Sequence, residues 1–116
     1  VVVGDIRGKS LEEVQAVLAD YADCISYHVG IFPATTSGID PDQTFCLVNL
    51  DADTYEGTLE ALRFFYPRMT PGGAILVHDY SQPHTVGVKV AVDEYFAGKP
   101  EPVIELWDSQ ALVIKA

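Results

Sequence analysis

The 116-residue chain has few basic side chains and lacks any long apolar run. Seven lysines and arginines stand against 17 aspartates and glutamates, which gives a formal net charge of −10. Such a surface repels a phosphate backbone, and no local basic patch offsets it, so we expect no nucleic-acid partner. No segment approaches the ~18 apolar residues of a membrane span, so we expect no membrane partner either.

Cysteine is also scarce, with Cys24 and Cys46 as the two examples. Both lie in apolar segments without metal-ligand spacing, and we interpret them as small buried residues in a reducing compartment. A cytoplasmic protein is therefore expected. Residues 1–3 are too short for a signal sequence. The start at valine rather than methionine indicates a chain cut from a longer one, or one whose leading residues were removed.

What the chain does contain is an alternation of strand and helix patterns. Strands are predicted at residues 1–3, 25–32, 44–50, 74–77, 102–107 and 111–115, and helices begin near residues 10, 54 and 85. Strands that alternate with helices imply a parallel, doubly wound sheet with right-handed crossovers. The last two strands are close enough to pair antiparallel. The prediction is a single α/β domain over residues 1–116, a three-layer sandwich with an antiparallel C-terminal hairpin.

Two helix starts carry capping signals. Ser10 with Glu13 forms one capping box, and Asp53 with Glu56 forms a second. The second helix presents an apolar stripe that we predict to be core; its members are Leu59, Leu62, Phe65 and Tyr66. Residues 67–73, rich in proline and glycine, are predicted to end that helix and turn the chain.

Residues 85–96 fit two structures. The alternating valines favour a strand, whereas Val88, Ala91, Val92 and Tyr95 have helical spacing. We predict a helix, because the segment is longer than most strands and Gly98-Lys99-Pro100 provides a stop.

Polar residues end two predicted buried strands. Asp51 and Asp53 follow one strand, and His78 and Asp79 follow the next. Ligands of open α/β sheets bind at the carboxyl ends of strands, and neighbouring strands lie about 4.8 Å apart, so these side chains are expected to converge. Two carboxylates with an imidazole can bind a hard or borderline divalent cation.

The same segments resemble the macrocin O-methyltransferase family. In that family Leu-Asp-Gly-Asp-Leu-Tyr-Glu-Ser-Thr is followed by a proline, two glycines and Val-Asp-Asp-Tyr. Here the first segment is residues 50–58, and the second is Pro71-Gly72-Gly73 and Val77-His78-Asp79-Tyr80. Residues 10–14 resemble the family's helix start, and Gly30-Ile31-Phe32 its Gly-x-Phe after the third strand. The resemblance implies a Rossmann-like class I methyltransferase sheet, with S-adenosylmethionine as methyl donor and Mg²⁺ holding the substrate oxygens.

By this resemblance, Asp51 and Asp79 correspond to metal ligands and Asp53 to the general base. His78 stands where the family usually has a second aspartate. Histidine favours softer metals than Mg²⁺. The site could therefore prefer Mn²⁺ or Zn²⁺, or it could bind no ion at all. A cap role for Asp53, a plain strand-end acid at Asp51 and a hydrogen-bonded or solvated His78 also stay open.

The family's glycine-rich donor turn has no counterpart within residues 1–116, and the N-terminal strands of its sheet are missing. Gly30 and Ile31 are then expected to supply only a remnant of the adenine contact, with weak or no donor binding.

Two functions follow: a metal-assisted O-methyltransferase for a sugar or small hydroxylated acceptor, or a non-catalytic self-associating module. We expect a homodimer through the sheet edge or by strand exchange; a monomer with strand 25–32 beside strand 44–50 is the alternative.

Overall fold

The computed structural model describes residues 2–4 and 9–116, which form two compact units, Val1–Asp40 and Pro41–Ala116. The first unit holds strand β1 (Val2–Gly4), helix α1 (Leu11–Val17) and strand β2 (Tyr27–Val29). Strands β1 and β2 pair in parallel. Short 3₁₀ segments occupy Ala19–Cys24 and Ala34–Gly38. Of the first predicted strand, Val1 lies outside the described residues.

Helix α1 begins where its capping box predicts. The Glu13 amide donates to Ser10 Oγ at 3.2 Å, and the Ser10 amide donates to the Glu13 carboxylate at 2.7 Å. Apolar residues recur at helical spacing from Leu11 to Tyr21 and predict a longer helix, but the α-helix ends at Val17 and Tyr21 is 65% exposed. The predicted strand 25–32 is also shorter, because the polypeptide turns into a bend at Gly30.

The second unit carries the larger sheet. It contains β3 (Phe45–Leu50), α2 (Tyr55–Phe65), β4 (Met69–Val77), α3 (Val86–Phe96), β5 (Ile104–Glu105) and β6 (Ala111–Ile114). The strand order is β3-β4-β6-β5. The β3–β4 pair is parallel, and β6 pairs antiparallel with both β4 and β5. The predicted α/β architecture, the adjacency of strands 44–50 and 74–77 and the C-terminal hairpin are confirmed. Strand β3 was predicted to be buried, but Cys46, Leu47 and Asn49 on it are exposed.

Alternate residues of the sheet form the core, as the period of two in a strand requires. The buried positions on one face are Val48, Leu50, Ile75, Val77, Ala111 and Val113. Helices α2 and α3 pack against each other and add fully buried Leu62 and Val92. Residues 86–96 are helical, as predicted. Leu59 of the predicted stripe is only half-buried, while Thr58 is 1% exposed.

The cap of α2 was predicted one residue too early. Thr54, not Asp53, is the N-cap, and its hydroxyl accepts from the Gly57 amide at 3.1 Å. Asp53 has a left-handed φ of 56°, whereas an N-cap needs extended backbone. With the cap at Thr54 the third helical residue is Gly57, so Glu56 completes no capping box.

Residues 71–73 were predicted to be a turn, but they lie within β4. Gly72 does adopt a positive φ of 78°. Its amide nevertheless donates to the Lys115 carbonyl at 2.8 Å, so the chain stays paired with the C-terminal strand segment. A register irregularity between Phe45 and Leu47 on the neighbouring β3 accommodates the distortion.

The prediction of buried cysteines was wrong. Cys24 and Cys46 are both exposed, and both are free thiols. Cys24 ends a 3₁₀ segment without buried residues. Cys46 lies on β3, which pairs with β4 on one side and, within the described residues, with no strand on the other.

A buried carboxylate anchors the C-terminus of the second unit. The Glu101 side chain is 1% exposed, and its Oε1 accepts from the Tyr66 hydroxyl at 2.6 Å and from the Ala116 amide at 3.1 Å. The Lys115 ammonium lies 3.6 Å away. The Tyr66 hydrogen bond is the main reason why the pKa of Glu101 falls from 4.5 to about 2.

The depressed pKa gives Glu101 a defined effect on stability. A carboxylate whose folded pKa is lowered stabilises the fold above its unfolded value, and this contribution is lost as the pH falls from about 4.5 to about 2. Glu101→Gln should therefore lower the melting temperature at pH 7, and the difference from wild type should shrink over that window. A difference that stays constant from pH 7 to pH 2.5 in thermal scans would contradict this assignment.

Candidate active site at the ends of β3 and β4

The parallel register of β3 and β4 brings two polar strand ends together. Leu50 pairs with Val77, so Asp51 and His78 leave the sheet at the same edge. The His78 amide donates to the Leu50 carbonyl at 2.7 Å, which extends the ladder by one bond beyond the strands. The predicted convergence of these strand ends is therefore present.

Three side chains form a cluster at this edge. One ligand atom each from Asp51, His78 and Asp79 lies within 4.8 Å of the others. The His78 Nδ1 atom is 3.7 Å from an Asp79 carboxylate oxygen. Asp51 is exposed, whereas His78 and Asp79 are half-buried. Two carboxylates and one imidazole form a donor set that suits a borderline divalent ion such as Mn²⁺ better than Mg²⁺.

The general-base candidate, Asp53, is not part of the group of described residues that has metal-binding geometry. A tight turn surrounds Asp53, because the Thr54 amide donates to the Ala52 carbonyl at 2.6 Å. Asp53 and Asp79 both have left-handed backbone, with φ of 56° and 59°. Such conformations are uncommon outside glycine and concentrate at functional sites.

Backbone and side-chain hydrogen bonds hold Asp79 in its unusual conformation. Its carbonyl accepts from the Thr85 hydroxyl at 2.9 Å and from the Gln82 amide at 3.4 Å. These bonds join the end of β4 to the start of α3. The backbone that carries the Asp79 carboxylate is thus held in a hydrogen-bonded turn.

Tyr80 fixes the next residue of the same turn. It is 5% exposed, and its hydroxyl donates to Asp93 at 2.5 Å and accepts from the Lys89 ammonium at 2.7 Å. Burial, with the Asp93 hydrogen bond second, raises the pKa of Tyr80. Tyr80 thus anchors the site to α3.

Sequence reasoning missed one neighbour of the cluster, Gln110. Its side-chain amide lies 3.2 Å from His78 Nε2. The antiparallel register pairs Val77 with Ala111, which places Gln110 next to His78. The predicted C-terminal hairpin was the available signal, but the register of its strand against β4 was not predicted.

The two residues predicted to contact the methyl donor lie in the first unit. Gly30 and Ile31 line an open groove of about 620 Å³, together with His28, Thr35 and Gly38. Gly30 has a positive φ of 142°, and a Cβ there would lie 3.0 Å from the Thr35 methyl group. The Ile31 side chain is 84% exposed, so it is available for contact with a ligand.

Comparison with solved structures defines the class of the fold. The "Structure of the O-methyltransferase NovP" aligns with a TM-score of 0.71 and 28% identity, covering 92% of this chain and 45% of that one. A putative O-methyltransferase from Klebsiella pneumoniae aligns at 0.68 with 17% identity, over 92% of this chain and 59% of that one, a likeness of fold alone. The fold of the chain is therefore of the methyltransferase type.

The family follows from the sequence comparisons. The model of the Macrocin-O-methyltransferase (TylF) family matches residues 7–108, so the chain belongs to that family. It is 35% identical over 74 residues to 8-demethyl-8-(2,3-dimethoxy-alpha-L-rhamnosyl)-tetracenomycin-C 4'-O-methyltransferase of Streptomyces olivaceus. It is 34% identical over 91 residues to demethyldecarbamoylnovobiocin O-methyltransferase of Streptomyces niveus.

These matches cover 61% and 76% of the chain but 28% and 34% of the two relatives. The chain therefore spans about a third of the length of the curated relatives it matches. Among the described residues, no helix has the length and apolar character needed to cross a membrane.

Proposed function

We propose that the chain functions in an S-adenosylmethionine-dependent, metal-assisted O-methyltransferase. Its acceptor is a sugar or another small hydroxylated metabolite. The observation that carries the proposal is the cluster of Asp51, His78 and Asp79 at the carboxyl edge of a methyltransferase-type sheet. A ligand site is expected at this edge in open α/β folds.

The proposed acceptor class is based on the names of the relatives. One relative is named for a 4'-O-methylation on a rhamnosyl group, and another as mycinamicin III 3''-O-methyltransferase from Micromonospora griseorubida. The latter is 34% identical over 55 residues, 47% of this chain and 20% of that enzyme. A sugar hydroxyl on a larger natural product is therefore the acceptor we test first.

Asp51, His78 and Asp79 would hold the ion. S-adenosylmethionine, when bound, would supply an electrophilic methyl group, and the ion would supply positive charge to stabilise the deprotonated acceptor hydroxyl. Asp53, outside the ligand group, would take the hydroxyl proton on a carboxylate oxygen. The methyl group would pass from the donor's sulfonium to the acceptor oxygen, with S-adenosylhomocysteine as the leaving group. Asp53 acts as a general base, a role that contributes on the order of 10²–10⁴ in rate.

We expect weak donor binding by these 116 residues. Gly30 and Ile31 supply candidate contacts in an open groove, and the sequence contains no Gly-x-Gly-x-x-Gly turn to hold the donor.

The second candidate is a self-associating, non-catalytic module. Strand β3 is an edge of its sheet, and Leu47 on it is 59% exposed. Exposed apolar edge strands favour pairing with another chain. A monomer with β2 beside β3 stays the alternative. We therefore retain a homodimer, paired along β3 or formed by strand exchange, as a proposal.

Label transfer decides between the two candidates. The chain is incubated with S-adenosylmethionine labelled in the methyl group, a panel of rhamnosides, and either Mn²⁺ or a chelator. We expect label in the sugar only with the ion, and saturation only at high donor concentration because the donor contacts are few. No transfer to any acceptor, with a stable mass of two chains by light scattering, would favour the non-catalytic module.

A further inference from the structure

We propose that Gln110 is a positioning residue that holds the His78 imidazole at its Nε2 atom and, through the orientation of its own amide, controls which tautomer His78 adopts. This inference rests on the metal site proposed above. It concerns a residue of the C-terminal hairpin that the sequence motifs do not include.

The two nitrogens of His78 have different neighbours. Nδ1 faces the Asp79 carboxylate at 3.7 Å, whereas Nε2 lies 3.2 Å from the Gln110 amide. Nδ1 is therefore the nitrogen that points towards the Asp79 carboxylate. A neutral imidazole carries its proton on one nitrogen only, so the partner of Nε2 controls whether Nδ1 is free to bind an ion.

A glutamine can serve either tautomer. When its NH₂ group donates to Nε2, the proton resides on Nδ1 and can point at Asp79. When the amide is rotated by half a turn, its oxygen accepts from Nε2–H, and Nδ1 presents a lone pair to the cluster. Both arrangements keep the same heavy-atom positions. Gln110 thus fits His78 in the empty state and in the loaded state.

The hairpin holds Gln110 at this place. Asp108 and Ser109, which precede it, both have left-handed backbone, with φ of 64° and 65°. The Ser81 amide donates to the Ser109 carbonyl at 3.3 Å, and the Gln82 side chain donates to Ser109 Oγ at 3.0 Å. These bonds join the hairpin to the turn that carries Asp79. Two consecutive non-glycine residues with positive φ persist only where the surroundings determine them.

The tautomer can be measured without any metal. Nitrogen chemical shifts of His78, assigned with a His78→Gln variant, distinguish Nδ1–H from Nε2–H. We expect the metal-free protein to show Nδ1–H, and addition of Zn²⁺ to convert it to Nε2–H with Nδ1 bound. Gln110→Leu should remove the preference in the metal-free state. An unchanged tautomer in Gln110→Leu would overturn the proposal.

Metal affinity provides the second readout. Loss of a hydrogen-bonding partner behind a histidine ligand typically weakens metal binding about 10–100-fold, so we expect that loss of Mn²⁺ affinity in Gln110→Leu by calorimetry. Gln110→Glu should restore the affinity, because its carboxylate accepts from Nε2–H. Gln43→Leu, the same change at an exposed glutamine whose amide contacts the Thr44 carbonyl, is the matched control.

The outcomes separate this inference from the metal site itself. If neither the wild-type protein nor any variant binds an ion, the proposal of a metal site is wrong. The tautomer measurement still tests the role of Gln110 in that case. If the ion binds equally well to wild type, Gln110→Leu and Gln110→Glu, the metal site stands and the positioning role of Gln110 is wrong.

Discussion

Asp51→Asn is expected to abolish the thermal stabilisation by Mn²⁺ that the proposed metal site predicts. An ion present at 100 times its dissociation constant stabilises a folded protein by about 2.7 kcal/mol, if it does not bind the unfolded chain. Asp51 supplies one of two carboxylates in the three-residue cluster, and asparagine removes its charge while keeping its size. Scans of melting temperature against Mn²⁺ concentration measure the loss.

Asp79→Asn should have the same effect on Mn²⁺ binding. Asparagine is the suitable replacement here, because it tolerates the left-handed φ of 59° that an alanine would adopt less readily. The control is Asp20→Asn, which removes one negative charge from an exposed residue of the first unit. If Asp51→Asn keeps the full Mn²⁺ shift, or Asp20→Asn loses it, the proposed cluster is not the binding site.

The strand-end cluster could be predicted because the sequence patterns that define it lie within two short segments of the chain. Two apolar runs of strand length each end in acidic residues, and neighbouring parallel strands bring such ends to one edge. The observed pairing of Leu50 with Val77 fulfils both conditions for Asp51 and His78. The geometry needed no long-range information beyond the adjacency of the two strands.

The residue that caps helix α2 was less predictable, because two adjacent residues could serve as the N-cap. Asp53 and Thr54 are both good N-cap residues, and the general preference favours Asp over Thr. The left-handed turn at Asp53 decides the matter in favour of Thr54. The same turn leaves the Asp53 carboxylate without a capping role, so it is available for other chemistry.

Gln110 shows the limit set by distance along the chain. It lies 32 residues from His78, and the two meet only because β6 runs antiparallel to β4 with Ala111 opposite Val77. A shift of one residue in that register would place a different side chain next to His78. Sequence patterns predicted the hairpin, but they did not contain the register. The exposed Cys46 likewise reflects its position on the edge strand β3, which composition alone does not specify.

Asp53→Asn is expected to lower kcat for label transfer by about 10²–10⁴, the usual contribution of a general base. Because Asp53 lies outside the group of described residues with metal-binding geometry, Mn²⁺ affinity should be nearly unchanged. Asparagine retains the size and tolerates the φ of 56°, so the turn before α2 should persist. Kinetics of label transfer and calorimetry on the same preparation measure both quantities.

Thr54→Ala distinguishes catalysis from helix capping. The Thr54 hydroxyl accepts from the Gly57 amide, and loss of an N-cap typically costs about 1 kcal/mol of stability. We therefore expect Thr54→Ala to lower the melting temperature with little change in kcat, and Asp53→Asn to do the reverse. If Asp53→Asn retains full kcat, Asp53 is not the base. If it instead loses Mn²⁺ binding, its carboxylate is a metal ligand, and the hydroxyl proton must go to another group.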